Sequence, residues 1–232
     1  MRTGDLVWVG VLGGISCGLL LPQTHEAFLA ATRAHPYLMG FVKVGVLATM
    51  GEWLARRLAG GSWAAPVGLH WRAFVWGLFG VAFALVFDVF ATGTAAVIGK
   101  GLLPVFADGF PADLSRAFWT SALMNLIFAP VFMAFHRVTD GYIDAGNGNA
   151  AGMLGVRLED VLRRIDGVGF VSFVLLRTIP LFWIPAHTIT FLLPAEYRVL
   201  VAAYLSIALG AILAFARLRQ KPPAPAEGTE RR

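Results

Sequence analysis

Charge is what this chain has least of. Asp, Glu, Lys and Arg make up 14% of its 232 residues, where a soluble globular domain carries about 25%. The deficit accompanies a mean hydropathy of +0.69 and 57% hydrophobic residues. Several apolar runs approach the ~20 residues that cross a bilayer. A soluble domain is therefore excluded in favour of an integral membrane protein, and one compact membrane domain suffices for the length. Cysteine is almost missing: the lone Cys17 excludes an internal disulfide and any Cys-rich metal site. Also missing are a P-loop, a glycine-rich dinucleotide turn after a strand, His-Glu-x-x-His and the Gly-x-Ser-x-Gly elbow. No basic patch is interleaved with aromatics, so the net charge of +5 does not point to nucleic acid. No enzyme, cofactor or metal is expected; the partners expected are the bilayer and a small-molecule or ion substrate, and a homo-oligomer is compatible with the chain.

Hydrophobic periodicity predicts an all-α polytopic helix bundle of five to six spans. The spans are placed at residues 1–22, 38–59, 71–98, 114–137, 169–193 and 199–216, and residues 23–37 are read as a polar connection. Three regions follow: an N-terminal membrane helix at 1–22, a bundle at 23–218 and a disordered Pro-rich tail at 219–232. A cleaved signal peptide competes for the first stretch, but its leucine run continues past Cys17. There Gly10, Gly14 and Gly18 recur four apart, the small-residue spacing that lets membrane helices approach closely. A charged amphipathic run at 156–165 reads as a short interfacial helix.

Orientation comes from basic residues. With both termini in the cytoplasm, the far side holds only Arg33, Lys100, Arg116 and Arg198, while Lys43 and Arg177 lie inside helices. The remaining thirteen of the 19 Lys and Arg fall on the cytoplasmic side, as the positive-inside rule requires. A multi-pass protein of a bacterial inner membrane is expected.

The stretch LLRTIPLFWIPAHTITFLLPAEYR (175–198) is the one most at odds with lipid. Pro180 and Pro185 release the carbonyls of Leu176 and Leu181, which predicts a helix broken there. Arg177 lies too deep to reach either interface and needs a carboxylate partner. Asp88, on a stripe of small residues (73, 77, 80, 84, 88), and Glu52 are the carboxylates available, and pairing with one of them is expected. Asn125 shares a face with Ser121, Ala129, Phe132 and His136, so that face is expected to look into the bundle. Glu52, Asp88, Asn125, His136, Arg177 and His187 are the predicted lining of a polar path. Glu52 and Arg56 are also spaced as an i,i+4 pair, His136 and Asp140 have chelating spacing without an evident third ligand, and Lys43 is expected to snorkel to the headgroups.

The run AHPYLMGFVKVGVLATMGEWLARRL resembles the opening of the Mpv-seventeen / peroxisomal membrane protein family, with Gly51-Glu52 where that family has Gly-Asp. Phe128-Ala129-Pro130 resembles its Phe-Ala-Pro. FWIPAHTITFLLPAEYRVL is similar to its closing signature, carried here by Trp183, Pro185, Phe191, Pro194 and Arg198. The likeness covers roughly residues 32–218. The chain departs from the family in reading GVAFALVF at 80–87, in placing His187 and Thr190 where the family has Gln and Asn, and in its additional first helix. The resemblance implies a small, channel-like membrane protein with no agreed substrate, and gives the motif residues packing and kinking roles. The expected function is a channel or carrier for small polar solutes or ions. A non-transporting scaffold or stress-response protein whose charges only lock the helices is the alternative, and a membrane-embedded enzyme the third.

Overall fold

A computed structural model describes residues 2–106 and 108–219. Within them the chain is a bundle of helices without strands. Six are long and apolar enough to cross a membrane: α1 (Thr3–Leu20), α3 (Pro36–Gly60), α4 (Leu69–Gly99), α5 (Phe110–Ala145), α8 (Gly167–Leu192) and α9 (Ala195–Arg219, apolar through Ile212). The chain is thus a polytopic helical membrane bundle. The shorter helices are α2 (Pro22–Ala34), α6 (Ala150–Leu154) and α7 (Leu158–Arg164). The tail expected at 219–232 lies outside the described residues beyond Arg219.

Three stretches differ from the sequence expectation. Residues 23–37 are mostly helical: Pro22 starts α2, its fixed φ suiting the first turn, and Phe28 and Thr32 bury one face of it. The α5 helix runs eight residues past Arg137, because nothing stops it before Gly146; Gly141 packs there against Val161 of α7. The α8 helix is continuous. Its hydrogen bonds take the i→i+5 π register from Phe170 to Trp183 and return to α at Ile184, so Pro180 is absorbed by the wider register rather than breaking the helix.

Helix α3 is the centre of the bundle, packed chiefly against α4 and α9, while α5 packs against the second half of α8. Glycines set the closest crossing. A Cβ on Gly80 would run into the Gly40 carbonyl, and one on Gly40 into that of Gly80. On the other flank a Cβ on Gly51 would sit 3.0 Å from the Ile207 Cα. The crossing packs backbone on backbone, as small residues do between membrane helices. The spaced glycines of α1 serve no such contact: a Cβ at Gly10, Gly14 or Gly18 would meet nothing within 4 Å. Instead α1 is tied to the bundle by polar bonds, Trp8 Nε1 to the Met50 carbonyl (3.2 Å) and Ser16 Oγ to the Tyr204 hydroxyl (2.8 Å).

Candidate functional site

Two cavities share a wall along the bundle. The inner one, a chamber of about 280 Å³, lies among α3, α4, α5, α8 and α9. Its walls are aromatic: Trp76, Phe83, Phe87, Phe128, Phe132 and Trp183. The outer one, a vestibule of about 770 Å³, is bordered by Arg56, Arg72, Asp140, Asp144, Arg164 and Asp166 among others. Glu52 and His136 line both.

The chamber's deep end is an Asn–His pair. Asn125 Nδ2 donates to the Ser121 carbonyl at 2.9 Å, and the Asn125 amide lies 3.1–3.2 Å from His187 Nδ1. Both residues are buried. The Trp183 ring stacks on His187 at 5.1 Å, and Phe87 meets it edge-on at 5.6 Å. Ser121 Oγ bridges α5 to α8 by donating to the Ile184 carbonyl at 2.7 Å. These bonds satisfy polar groups that lipid could not.

The mouth is built on Arg72, whose side chain is 2% exposed. Its guanidinium contacts Glu52 at 2.7 Å, Asp140 at 2.8 Å and Asp144 at 2.6 Å, and donates to the Val67 carbonyl at 3.0 Å. Arg56 adds a longer contact to Glu52 at 3.7 Å. Trp76 Nε1 holds the other Glu52 oxygen at 3.4 Å. His136 lies 4.4 Å from the Trp76 ring centroid; its Nδ1 approaches Asp140 to 3.4 Å but without hydrogen-bond geometry, and is otherwise unpartnered.

At the far end a third cavity, lined by Thr94, Asp113, Arg116 and Arg198, is separated from the chamber by Phe87 and Phe191, whose rings are 5.4 Å apart. Arg198 caps α8 there. It donates to the carbonyls of Leu193 (3.0 Å) and Phe191 (3.4 Å) and lies over the Phe191 ring at 5.4 Å. Among the motif residues, Gly51, Phe128 and Trp183 border the chamber. Pro130 lies inside α5, Pro185 opens the α-register part of α8, and Pro194 stands between α8 and α9.

Of the six predicted lining residues, Glu52, Asn125, His136 and His187 meet at the chamber; Asp88 and Arg177 do not. Arg177 is exposed on the outer face of α8 beside Leu176 and Leu181, and no ion pair joins it to Asp88 or Glu52 among the described residues. Its depth argued for a partner, but the π register turns its face away from the bundle. Asp88 is exposed because the stripe it extends has run out of partner. The antiparallel crossing sets Gly40 against Gly80 and Ala84, so Asp88 stands level with Pro36, where α3 begins. Lys43 does not snorkel. It is 7% exposed under α2, 5.0 Å from the Phe28 centroid and 3.4 Å from Thr32 Oγ1.

Sequence reasoning missed Arg72 and the aromatic wall. Arg72 counts as an ordinary loop-end arginine until Trp76, Phe83 and Phe87 are placed on the same helical face at +4, +11 and +15. That stripe faces the chamber, beside the small-residue stripe that faces α3. No protein-family model, curated protein or solved structure matches the chain.

Proposed function

We propose that this protein passes or carries small solutes across a bacterial inner membrane, with the chamber as its binding chamber and the vestibule as its cytoplasmic mouth. The observation that carries the reading is the wall shared by the two cavities: Glu52 and His136 border both, so only those two side chains stand between a polar vestibule and a site ending at Asn125 and His187. A ligand entering from the vestibule reaches the middle of the bundle and stops at Phe87 and Phe191. The arginine-rich mouth supports placing the vestibule, with both termini, in the cytoplasm. The likeness of Gly51, Phe128 and Trp183 to Mpv-seventeen family motifs supports the same reading, since all three border the chamber.

One observation favours the scaffold alternative. Arg72 joins α3, α4 and α5 through three carboxylates, which is an effective lock whether or not anything passes. Flux of small solutes into liposomes holding the purified protein separates the two. Under the transport reading the wild type conducts above empty liposomes, Phe87→Ala with Phe191→Ala raises the flux, and Asp88→Asn or Arg177→Gln leaves it unchanged. No flux from folded, inserted wild type and double variant alike would reject transport.

A further inference from the structure

The chamber carries one formal charge of fixed sign, that of Glu52, and neither Lys nor Arg is among the residues that line it. Beside small and aliphatic residues, six aromatic rings line it. They stand close enough to act together, with centroid separations of 5.0 Å for Phe83–Phe132, 5.9 Å for Phe128–Phe132 and 6.1 Å for Trp76–Phe132. Ring faces attract a cation within about 6 Å of the centroid, most strongly where water is excluded. A carboxylate beside such rings adds attraction of the same sign. Both guanidinium contacts of Glu52, Arg72 at 2.7 Å and Arg56 at 3.7 Å, fall on Oε1, and the Arg72 group is shared with Asp140 and Asp144; among the described residues Oε2 is held only by Trp76 Nε1. Over the whole mouth Arg56, Arg72, Arg137 and Arg164 balance Glu52, Asp140, Asp144 and Asp166, so Glu52 is the group that brings negative charge to the chamber side.

This chemistry excludes other ligand classes. A bare inorganic cation needs six or so oxygens to replace its water, and the side-chain oxygens of the chamber are the Glu52 carboxylate, an Asn125 already bonded to His187 and the Ser206 hydroxyl. An anion meets a carboxylate and no lysine or arginine. A polyol would leave its hydroxyls unpaired against aromatic walls.

We infer that the chamber is a cage for a compact organic cation of the ammonium class, its alkyl groups against the rings and its charge balanced by Glu52. The volume, about 280 Å³, lies at the small end of ligand sites, which run from about 300 to 1,000 Å³, so the ligand is small. This deepens the transport reading and narrows its substrate, but the cage stands on its walls and charge alone.

The test is a calorimetric titration of the whole protein in lipid nanodiscs with choline, set beside 3,3-dimethyl-1-butanol, which has the same shape without the charge. Choline should bind saturably and at least about tenfold more tightly than the neutral alcohol. Glu52→Gln, and separately Trp183→Leu, should each weaken choline by about tenfold, whereas Asp88→Asn should not. Equal affinity for the two probes, or no saturable choline binding by the folded wild type, would overturn the cage; this comparison needs no variant to fold. Choline binding without liposome flux keeps the cage and removes transport. Flux of other solutes without choline binding keeps transport and removes the cage.

Discussion

Asn125 and His187 lie 62 positions apart in the chain, yet their side chains meet 3.1 Å apart in the buried middle of the bundle. Neither has an alternative in water, so each is the other's solvent. The α5–α8 seam is organised around that contact and the adjoining Ser121–Ile184 bond.

Removing one partner should therefore cost more than removing both. Asn125→Ala is expected to destabilise by about 1–3 kcal/mol, the cost of a stranded buried polar group. Asn125→Leu with His187→Phe should recover much of that loss. Thermal unfolding in detergent measures both, and additive losses would refute the pairing.

Arg72→Met should be the most damaging single change at the mouth. It leaves Asp140 and Asp144 without a guanidinium and Glu52 with only the longer Arg56 contact. Breaking a buried ion pair costs about 3–5 kcal/mol, and the partial exposure of Asp140 and Asp144 puts the loss near the low end. Adding Glu52→Gln and Asp140→Asn should restore stability. A triple variant no more stable than Arg72→Met would show that the arginine acts by packing alone.

Gly80→Val should force α3 from α4 at the Gly40 crossing and cost about 1–3 kcal/mol or more. Gly93→Ala on the same helix is its control, because nothing lies within 4 Å of the new methyl. Its higher helix propensity should gain up to about 1 kcal/mol. Equal effects of the two in a chemical denaturation series would disprove the close crossing.

The two intrahelical cations should behave oppositely to what their depth suggests. Arg177→Leu removes an outward-facing group and is expected to change stability in detergent by no more than about 0.5 kcal/mol. Lys43→Met removes an ammonium buried with one long bond and a ring face, and is expected to be neutral or stabilising by about 1 kcal/mol. A large loss on Arg177→Leu would mean the arginine has an inward partner.

Much of this architecture was legible in the residues. Apolar runs located all six spans, because lipid demands length and hydropathy before anything else. The face of α5 through Ser121, Asn125, Phe132 and His136 pointed inward as periodicity required. Long-range pairing was not legible. Which carboxylate meets which guanidinium depends on where helices cross and in which register. The π turns of α8 moved Arg177 outward by a rotation that a 3.6-residue wheel does not contain. Arg72 stayed hidden because its partners lie 20, 68 and 72 positions away. Periodicity showed the small-residue stripe of α4 but not the aromatic stripe beside it, and the crossing at Gly40 and Gly80 identifies the first as the packing stripe.

The glycine crossings have a mechanical consequence. Where backbone rests on backbone, no side chain remains that could change rotamer and let the helices slide. Helices α3, α4 and α9 therefore form a stiff plate. Helix α8 is joined to the rest of the bundle chiefly through α5 and already runs for 14 residues outside the α register. It is the pliable stave of the barrel. Any opening of the Phe87–Phe191 partition has to come from α8 flexing against a plate that holds still.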